Sequence, residues 1–222
     1  MEVRISHVSK KIGANMVLED VSLTMESGHI YGLKGRNGSG KTMLMRCLCG
    51  LIYPTAGTVT LDDKILGKDI LIPPSVGALI EAPTFLPEYS GMRNLRFLAD
   101  LQGGITDEQI AQQITDVGLN PNDKRPFRKY SLGMKQRLGI AAALLGSPKL
   151  IILDEPMNAI DEAGKKAIRE LFLQKKNAGC LVVLADHDSQ ELETCSDVVF
   201  ELNQGQLLNS YTPNHNLGDA IS

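Results

Sequence analysis

Residues 35–42 read GRNGSGKT and directly follow a short apolar run with a single lysine at residue 34. The glycines at 35, 38 and 40 let the backbone turn so tightly that its N–H groups converge on one anion. Lys41 can then reach the terminal phosphates of a nucleotide, and Thr42 can hold a magnesium ion. The stretch therefore predicts a phosphate-binding loop formed by Gly35, Arg36, Asn37, Gly38, Ser39, Gly40, Lys41 and Thr42.

The residues on either side of this loop have the order that phosphate binding needs. Residues 30–33 are short and apolar, as expected of a buried strand. After the loop, Met43, Leu44, Met45 and Leu48 provide an apolar stretch dense enough to bury a helix, whose positive N-terminal end would face the phosphates. Because a glycine-rich chain can match G-x-x-x-x-G-K-[ST] by chance, this order of strand, loop and helix supports the functional interpretation.

Length and composition suit one large domain with a sizeable core. The chain has 222 residues, of which 43% are hydrophobic, and a net charge of −3. The longest basic cluster, at residues 124–129, is interrupted by Pro126 and Phe127 and is typical of a solvated loop. The charge balance therefore argues against nucleic acid as a partner.

The cysteines and the lengths of the apolar runs indicate in which cellular compartment the protein is expected. The four cysteines, at 47, 49, 180 and 195, have neither C-x-x-C spacing nor the density of a disulfide scaffold, so we expect a reducing, cytoplasmic setting. No N-terminal signal peptide is evident, and no apolar run approaches the roughly 18 residues needed to span a bilayer. Any membrane role would have to come through a partner.

Periodicity predicts an α/β fold with a mainly parallel sheet. Strands are expected at residues 2–8, 21–25, 57–61 and 76–80, and buried strands at residues 150–153, 181–184 and 198–202 with helix-like stretches between them. Asp62 and Asp63 mark the turn of a hairpin. Residues 211–222 are polar and predict a loose tail.

Between these strands the pattern becomes helical. One helix is expected to end at Gly103 and Gly104, and Thr106 with Gln109 predicts a capping box for the next. A further helix should run from Ser131 to residue 145. We therefore divide the single domain of residues 1–222 into a nucleotide-binding core with a β subdomain, residues 1–82 and 146–222, and an inserted helical subdomain, residues 83–145.

Candidate catalytic residues follow two of the buried strands. Asp154 and Glu155 end the run LIILDE, at the edge of the sheet where the phosphate loop is expected. Asp154 would hold magnesium, directly or through water, and Glu155 would polarise the attacking water. His187, which follows the buried run in LVVLADHD, is expected within reach of the γ-phosphate. The alternatives are an ordinary strand-to-loop junction for the acidic pair and a structural role for the histidine.

Five segments in this order resemble the ATPase subunit of an ATP-binding cassette (ABC) transporter: GRNGSGKT, then YSLGMKQR (130–137), LIILDEP (150–156), NAID (158–161) and ADHD (185–188). The resemblance covers essentially the whole chain and implies a P-loop NTPase (RecA-like) core with an antiparallel β subdomain. It also implies that Ser131 and Gly133 contact the γ-phosphate bound by the opposite subunit, which suits a helix N-terminus. By the same resemblance, Asp161 crosses the interface of a homodimer, or of a paired ATPase subunit, that encloses two ATP molecules.

The chain departs from the family pattern at three places. The signature LSGGQ stands as YSLGM, so a serine and one glycine remain. Glu81, in IEAPTFLPEYSG, occupies the place of a glutamine that reaches magnesium and faces the transmembrane partner. Glu81 and the segment SLGMKQR together give the chain a resemblance to the branch of the family associated with bacitracin export and lantibiotic or other bacteriocin immunity. Ile12, in KKIG, stands where an aromatic residue usually stacks on adenine, and could offer only an apolar face.

The resemblance implies an ATPase that uses ATP and Mg²⁺, dimerises, and drives a separate integral-membrane permease from the inner face of the cell membrane. The expected cargo is an exported peptide antibiotic or bacteriocin. One alternative is a non-transport ABC ATPase that acts as a clamp or assembly factor, for example in building iron–sulfur clusters. A second alternative is a nucleotide-binding regulatory protein with little turnover.

Overall fold

The computed structural model describes residues 1–213. Within these residues the strands are, in chain order, β1 (Glu2–Ile12), β2 (Asn15–Glu26), β3 (Ile30–Lys34), β4 (Ala56–Leu61), β5 (Lys64–Ile65), β6 (Val76–Leu79), β7 (Leu150–Asp154), β8 (Leu181–Asp186), β9 (Val198–Asn203) and β10 (Gln206–Tyr211). The helices are α1 (Lys41–Leu48), α2 (Gly91–Gln102), α3 (Asp107–Asp116), α4 (Leu132–Ala143), α5 (Glu162–Asn177) and α6 (Ser189–Cys195). A 3-10 turn, Phe127–Lys129, precedes α4.

The larger sheet of the described chain has the strand order β10-β9-β3-β8-β7-β6. Its neighbours pair in parallel, except that the edge strand β10 is antiparallel to β9. Every residue of β8 is buried, as expected for a parallel strand covered on both faces. The mainly parallel sheet predicted from the buried runs is confirmed.

The smaller sheet is antiparallel, with the order β2-β1-β4-β5. Residues of β1 alternate in burial over its first half, where Val3 and Ile5 are buried and Arg4 is exposed. The buried face shares one apolar core with Leu44 and Leu48 of α1. This is the predicted antiparallel β subdomain, and it supports the helix that follows the glycine-rich loop.

Helices α2, α3 and α4 lie between β6 and β7 and begin with side-chain caps. Thr106 and Gln109 form the predicted capping box, and Ile110 and Ile114 are buried on one face of α3. Helix α4 packs closely on the sheet, because a Cβ at Gly77 of β6 would lie 1.6 Å from the carbonyl oxygen of Ala143. The inserted helical segment is thus attached to the edge of the parallel sheet.

Two expectations from the sequence need correction. Tyr211 does not begin a loose tail; it ends β10, and its hydroxyl lies 3.0 Å from Lys34 Nζ and 2.5 Å from Glu193 Oε1. The remainder of the predicted tail, residues 214–222, lies outside the described residues. The segment at residues 124–129 is not wholly solvated, because Phe127 is buried and contacts Phe85 edge to face.

All four cysteines of the described chain are free thiols, and Cys47, Cys49 and Cys195 are buried. Over residues 1–213, no helix is both long enough and apolar enough to cross a membrane.

Candidate active site

The glycine-rich loop connects the end of β3 to the start of α1. Gly38 and Gly40 have φ values of 79° and 105°, in the region that favours glycine. At Gly35 the constraint is space, because a Cβ there would lie 2.4 Å from both the Leu202 carbonyl oxygen and Ser39 Oγ. The backbone therefore follows a course that would be strained for a side-chain-bearing residue at Gly38 and Gly40 and leaves no space for a side chain at Gly35.

Two polar groups point into this loop. Lys41 is 7% exposed, and its Nζ donates to the carbonyl oxygens of Gly35 at 2.7 Å and Arg36 at 3.3 Å. Ser39 Oγ is buried and has no hydrogen-bond partner among the described residues. A buried ammonium and an unpaired hydroxyl beside a helix N-terminus form a suitable site for an anion.

Thr42 and Asp154 meet at the carboxyl end of β7. Thr42 Oγ1 donates to Asp154 Oδ2 at 2.8 Å. Burial raises the pKa of Asp154 above its ordinary value; the hydrogen bond from Thr42 opposes this rise, and the negative charges of Glu155 and Glu81 add to it. A hydroxyl and a carboxylate are the hard oxygen donors that Mg²⁺ prefers, and a cation here would compensate the buried charge. The donor set therefore fits magnesium.

Glu155 and His187 are brought together from the ends of neighbouring strands. Glu155 directly follows β7, and its N–H donates to the carbonyl oxygen of Ala185 in β8 at 2.8 Å. His187 Nδ1 lies 3.4 Å from Glu155 Oε1 and 3.5 Å from Asp186 Oδ1. Burial is also the main reason that the pKa of Asp186 is raised. A carboxylate and an imidazole thus lie at the same edge of the sheet as the phosphate loop.

Ser131 caps α4 by accepting a hydrogen bond from the N–H of Met134 at 3.2 Å. In the first turn, Gly133 lies so close to the following loop that a Cβ would be 2.6 Å from the Ala159 carbonyl oxygen. Asp161 is at the N-cap of α5 and is paired with Arg137. Ser131 and Asp161 are exposed, so both are accessible to a second molecule.

A cavity of about 840 Å³ lies between the phosphate loop and the helical segment. Glu81 is part of its wall and is ion-paired with Arg46 of α1. Ile12 is not among the described residues that line this cavity, whereas Val17 of β2 is. Its wall also includes Lys41, Thr42, Leu132, Lys135, Asp154 and Glu155.

Sequence reasoning missed the side chains that connect α4 to the acidic loop. Gln136 and Arg137 lie in the segment YSLGMKQR, but their partners are 19 and 24 residues further along the chain. No local spacing indicates such contacts. The available signal was the position of Gln136 four residues before Ile140, which puts a polar side chain on the apolar face of the helix, where it needs a hydrogen-bond partner.

The parallel sheet, the glycine-rich loop and the acidic strand end define a P-loop NTPase. Residues 18–158 match the family model described as ABC transporter. The chain belongs to this family, as an ATP-binding, ATP-hydrolysing subunit.

Three similar proteins illustrate the relation of this chain to the family. An uncharacterised ABC transporter ATP-binding protein of Bacillus subtilis, YybJ, is 42% identical over 205 residues, which cover 92% of this chain and 94% of the relative. The bacitracin transport ATP-binding protein BcrA of Enterococcus faecalis is 38% identical, with coverage of 93% and 68%. The lantibiotic transport ATP-binding protein SrtF of Streptococcus pyogenes is 33% identical, with coverage of 99% and 96%.

Among solved structures, a dimeric ATP-binding cassette in a post-hydrolysis state with bound ADP and Pi has a TM-score of 0.86 to this chain. The match covers 96% of this chain and 100% of the other, at 20% sequence identity. It confirms the fold predicted from the sequence.

Proposed function

We propose that this subunit hydrolyses ATP in a dimer that drives a membrane permease, and that the permease exports a peptide antibiotic or bacteriocin. The hydrolytic part rests chiefly on one observation: the Glu155 carboxylate and the His187 imidazole lie together beside the cavity that contains Lys41, Thr42 and Asp154. The transport part rests on the relatives named for bacitracin and lantibiotic transport.

ATP binding uses the loop at residues 35–42. Its backbone N–H groups, the side chain of Lys41 and the N-terminus of α1 surround the phosphates. Thr42 and Asp154 would hold Mg²⁺, with Glu81 as a third nearby oxygen donor. Held there, the ion would supply positive charge that neutralises the phosphates. By sequence position, Ile12 corresponds to the residue that stacks on adenine in the family. It does not line the cavity that contains Lys41 and Thr42.

In the hydrolysis step, Glu155 accepts a hydrogen bond from a water molecule and orients it in line with the γ-phosphorus. As the new P–O bond forms, the bond from phosphorus to the β–γ bridging oxygen breaks, and the proton of the water moves toward the Glu155 carboxylate. His187, whose Nδ1 is 3.4 Å from Glu155 Oε1, is the residue that we propose contacts the γ-phosphate. Ser131 and Gly133 of a second copy would complete the anion site, and Asp161 would lie at the interface between the copies.

The permease would be the partner that brings this subunit to the inner face of the cell membrane. The segment at residues 82–90 is a suitable contact surface, because Leu86 is 50% exposed and Phe85 and Tyr89 are only partly buried. The same segment begins beside Glu81 in the cavity wall. We therefore propose that it couples the nucleotide site to the permease, within a helical subdomain of residues 83–145.

The first prediction concerns Glu155→Gln. This substitution should preserve ATP binding, lower phosphate release by about two orders of magnitude or more, and trap an ATP-bound dimer, because the carboxylate that polarises water is lost while the phosphate loop remains. Gel filtration with ATP and a phosphate-release assay measure both effects. Lys41→Ala is the comparison variant and should weaken ATP binding itself. Wild-type turnover by Glu155→Gln would contradict the role of Glu155.

The cargo is tested in cells. Disruption of the gene, or its replacement by the Glu155→Gln variant, should increase sensitivity to bacitracin or a lantibiotic but not to an antibiotic that enters the cytoplasm and has no peptide character. Unchanged sensitivity to both peptide antibiotics would contradict the proposed cargo class and leave the ATPase role intact. A defect in metal-cluster enzymes instead would favour the assembly-factor alternative.

A further inference from the structure

The loop that contains the proposed catalytic carboxylate has an unusual backbone. Glu155 and Ala159 have φ values of 48° and 59°, and neither is a glycine. L-residues in this left-handed region are strained and persist only where the surrounding structure holds them. The loop also connects Asp154, at the end of β7, to Asp161, at the start of α5. Its conformation therefore determines where the carboxylate of Glu155 points.

Helix α4 contacts this loop near its beginning. Gln136 is 9% exposed, and its Nε2 donates to the carbonyl oxygens of Glu155 at 2.9 Å and Pro156 at 3.4 Å. Both are backbone oxygens of the strained turn. The amide of one buried side chain is thus bonded to the two peptide groups that flank the Cα atom of Pro156.

The same helix contacts the middle and the end of the loop. The close approach of Gly133 to the Ala159 carbonyl oxygen leaves no room for a side chain between them. Arg137 Nη2 donates to Asp161 Oδ1 at 2.6 Å, and Nη1 donates to the Gly118 carbonyl oxygen at 3.4 Å. Three neighbouring positions on α4 therefore hold the loop at residues 155–161 along its length.

We infer that Gln136 is a positioning residue for ATP hydrolysis: its side-chain amide holds the turn that directs the Glu155 carboxylate. The inference rests on the proposed role of Glu155. It means that the helix with Ser131 at its N-terminus, which is proposed to contact the nucleotide of the opposite subunit, also determines the geometry of the catalytic carboxylate in its own subunit. A displacement of α4 would therefore change both the contact of Ser131 with the opposite nucleotide and the direction of the Glu155 carboxylate.

A purely structural glutamine would behave differently. Its loss would lower the stability of the protein and leave the turnover of the folded molecules unchanged. A positioning residue changes kcat at constant nucleotide affinity, and its effect disappears when the group that it positions is removed. These two properties can be measured separately.

The test substitution is Gln136→Met, which removes the amide donor and retains much of the side-chain volume. We expect kcat for phosphate release to fall roughly 10- to 100-fold, as for a small misplacement of a catalytic group. Gln136 lines the cavity wall, but its side-chain amide donates to the carbonyl oxygens of Glu155 and Pro156 and not to the phosphate loop, so ATP affinity should remain within about twofold. Thermal unfolding shows whether the variant is folded; if it is not, Gln136→Asn, which shortens the side chain by one methylene, takes its place.

Gln113→Met is the matched control. Gln113 is also a buried glutamine of the helical segment, and its Nε2 has no hydrogen-bond partner within residues 1–213. Because it lies on α3 and does not line the cavity, its replacement should leave kcat within twofold of wild type. An equal loss of kcat in both variants would overturn the inference.

The deciding measurement combines Gln136→Met with Glu155→Gln. If Gln136 acts through Glu155, the double variant should be no slower than Glu155→Gln alone, whereas independent effects would multiply. Multiplying losses, or a Gln136→Met variant with wild-type kcat, would overturn the inference and leave the role of Glu155 intact. Wild-type turnover by Glu155→Gln alone would instead overturn the proposed role of Glu155 and the inference with it.

Discussion

At the scale of single residues, Asp154 combines a proposed role in binding magnesium with a cost in stability. Its carboxylate is buried, and burial raises its pKa despite the hydrogen bond from Thr42. Between the ordinary and the raised pKa, the folded state binds more protons than the unfolded state. The free energy of unfolding therefore decreases as the pH rises through that window, and the full penalty is present above the raised pKa.

We predict that Asp154→Asn stabilises the protein at neutral pH in EDTA without nucleotide, because an amide can still accept the hydrogen bond from Thr42 but has no charge to bury. The melting temperature should rise by roughly 2–4 °C, which corresponds to about 1 kcal/mol for a chain of this size. This advantage should diminish as the pH falls toward about 4, the ordinary pKa of an aspartate. Scanning calorimetry across this pH range measures it.

The same variant should lose phosphate release, since it lacks a proposed magnesium ligand. Asp100→Asn, which removes an exposed carboxylate of α2, is the control and should change stability by no more than about 0.5 kcal/mol. An Asp154→Asn variant that is less stable than wild type at neutral pH would show that the carboxylate is compensated in the folded protein.

At the scale of elements, α3 is an amphipathic helix whose start is determined locally. Thr106 Oγ1 accepts from the N–H of Gln109 at 3.3 Å, and Gln109 Oε1 accepts from the N–H of Thr106 at 2.8 Å. The two bonds satisfy N–H groups that have no partner within the helix. The apolar face of α3 then packs on the core through Ile110 and Ile114.

We predict that Thr106→Ala lowers the free energy of unfolding by about 1 kcal/mol, the usual cost of an N-cap. ATP affinity should not change, because α3 does not contribute to the cavity wall as described. Urea unfolding and a nucleotide titration measure the two quantities. Thr115→Ala is a fitting control: its hydroxyl donates to the Ala111 carbonyl oxygen within the same helix, a contact that adds little to stability. Equal losses in the two variants would contradict the capping role.

At the scale of the whole molecule, the proposed dimer requires an exposed anion site on one copy to meet the nucleotide of the other. Ser131 is exposed at the N-cap of α4, and the neighbouring Leu132 is 68% exposed. An aspartate at an N-cap is as favourable as a serine, so Ser131→Asp preserves the helix. It also places a negative charge where the phosphate of the opposite copy is expected.

We predict that Ser131→Asp, combined with Glu155→Gln, abolishes the ATP-trapped dimer and leaves ATP binding by the monomer within about twofold, since like charges across an interface are strongly unfavourable. Ser90→Asp in the same background is the matched control, because Ser90 caps α2 with the same geometry. Gel filtration with ATP distinguishes them. Persistence of the dimer in the Ser131→Asp variant would place the interface elsewhere.

The sequence alone determined the elements that depend on local spacing. The glycines and Lys41 in residues 35–42 specify the loop, the buried runs specify β7 and β8, and Thr106 with Gln109 specifies the start of α3. Each of these signals comes from residues within a few positions of one another. Their hydrogen bonds and periodic burial follow from the backbone geometry of a turn, a strand or a helix, which is why a single sequence was sufficient.

Only the tertiary structure decided which distant groups meet. It placed β3 between β8 and β9, paired Glu81 with Arg46, and bonded Gln136 to the turn at Glu155. It also incorporated Tyr211 into the sheet, where the sequence predicted a tail. These contacts join residues 12 or more positions apart and leave no periodic trace in the sequence. They are selected by the packing of the sheet and helices as a whole, because a buried polar group takes the partner that the folded chain brings within reach.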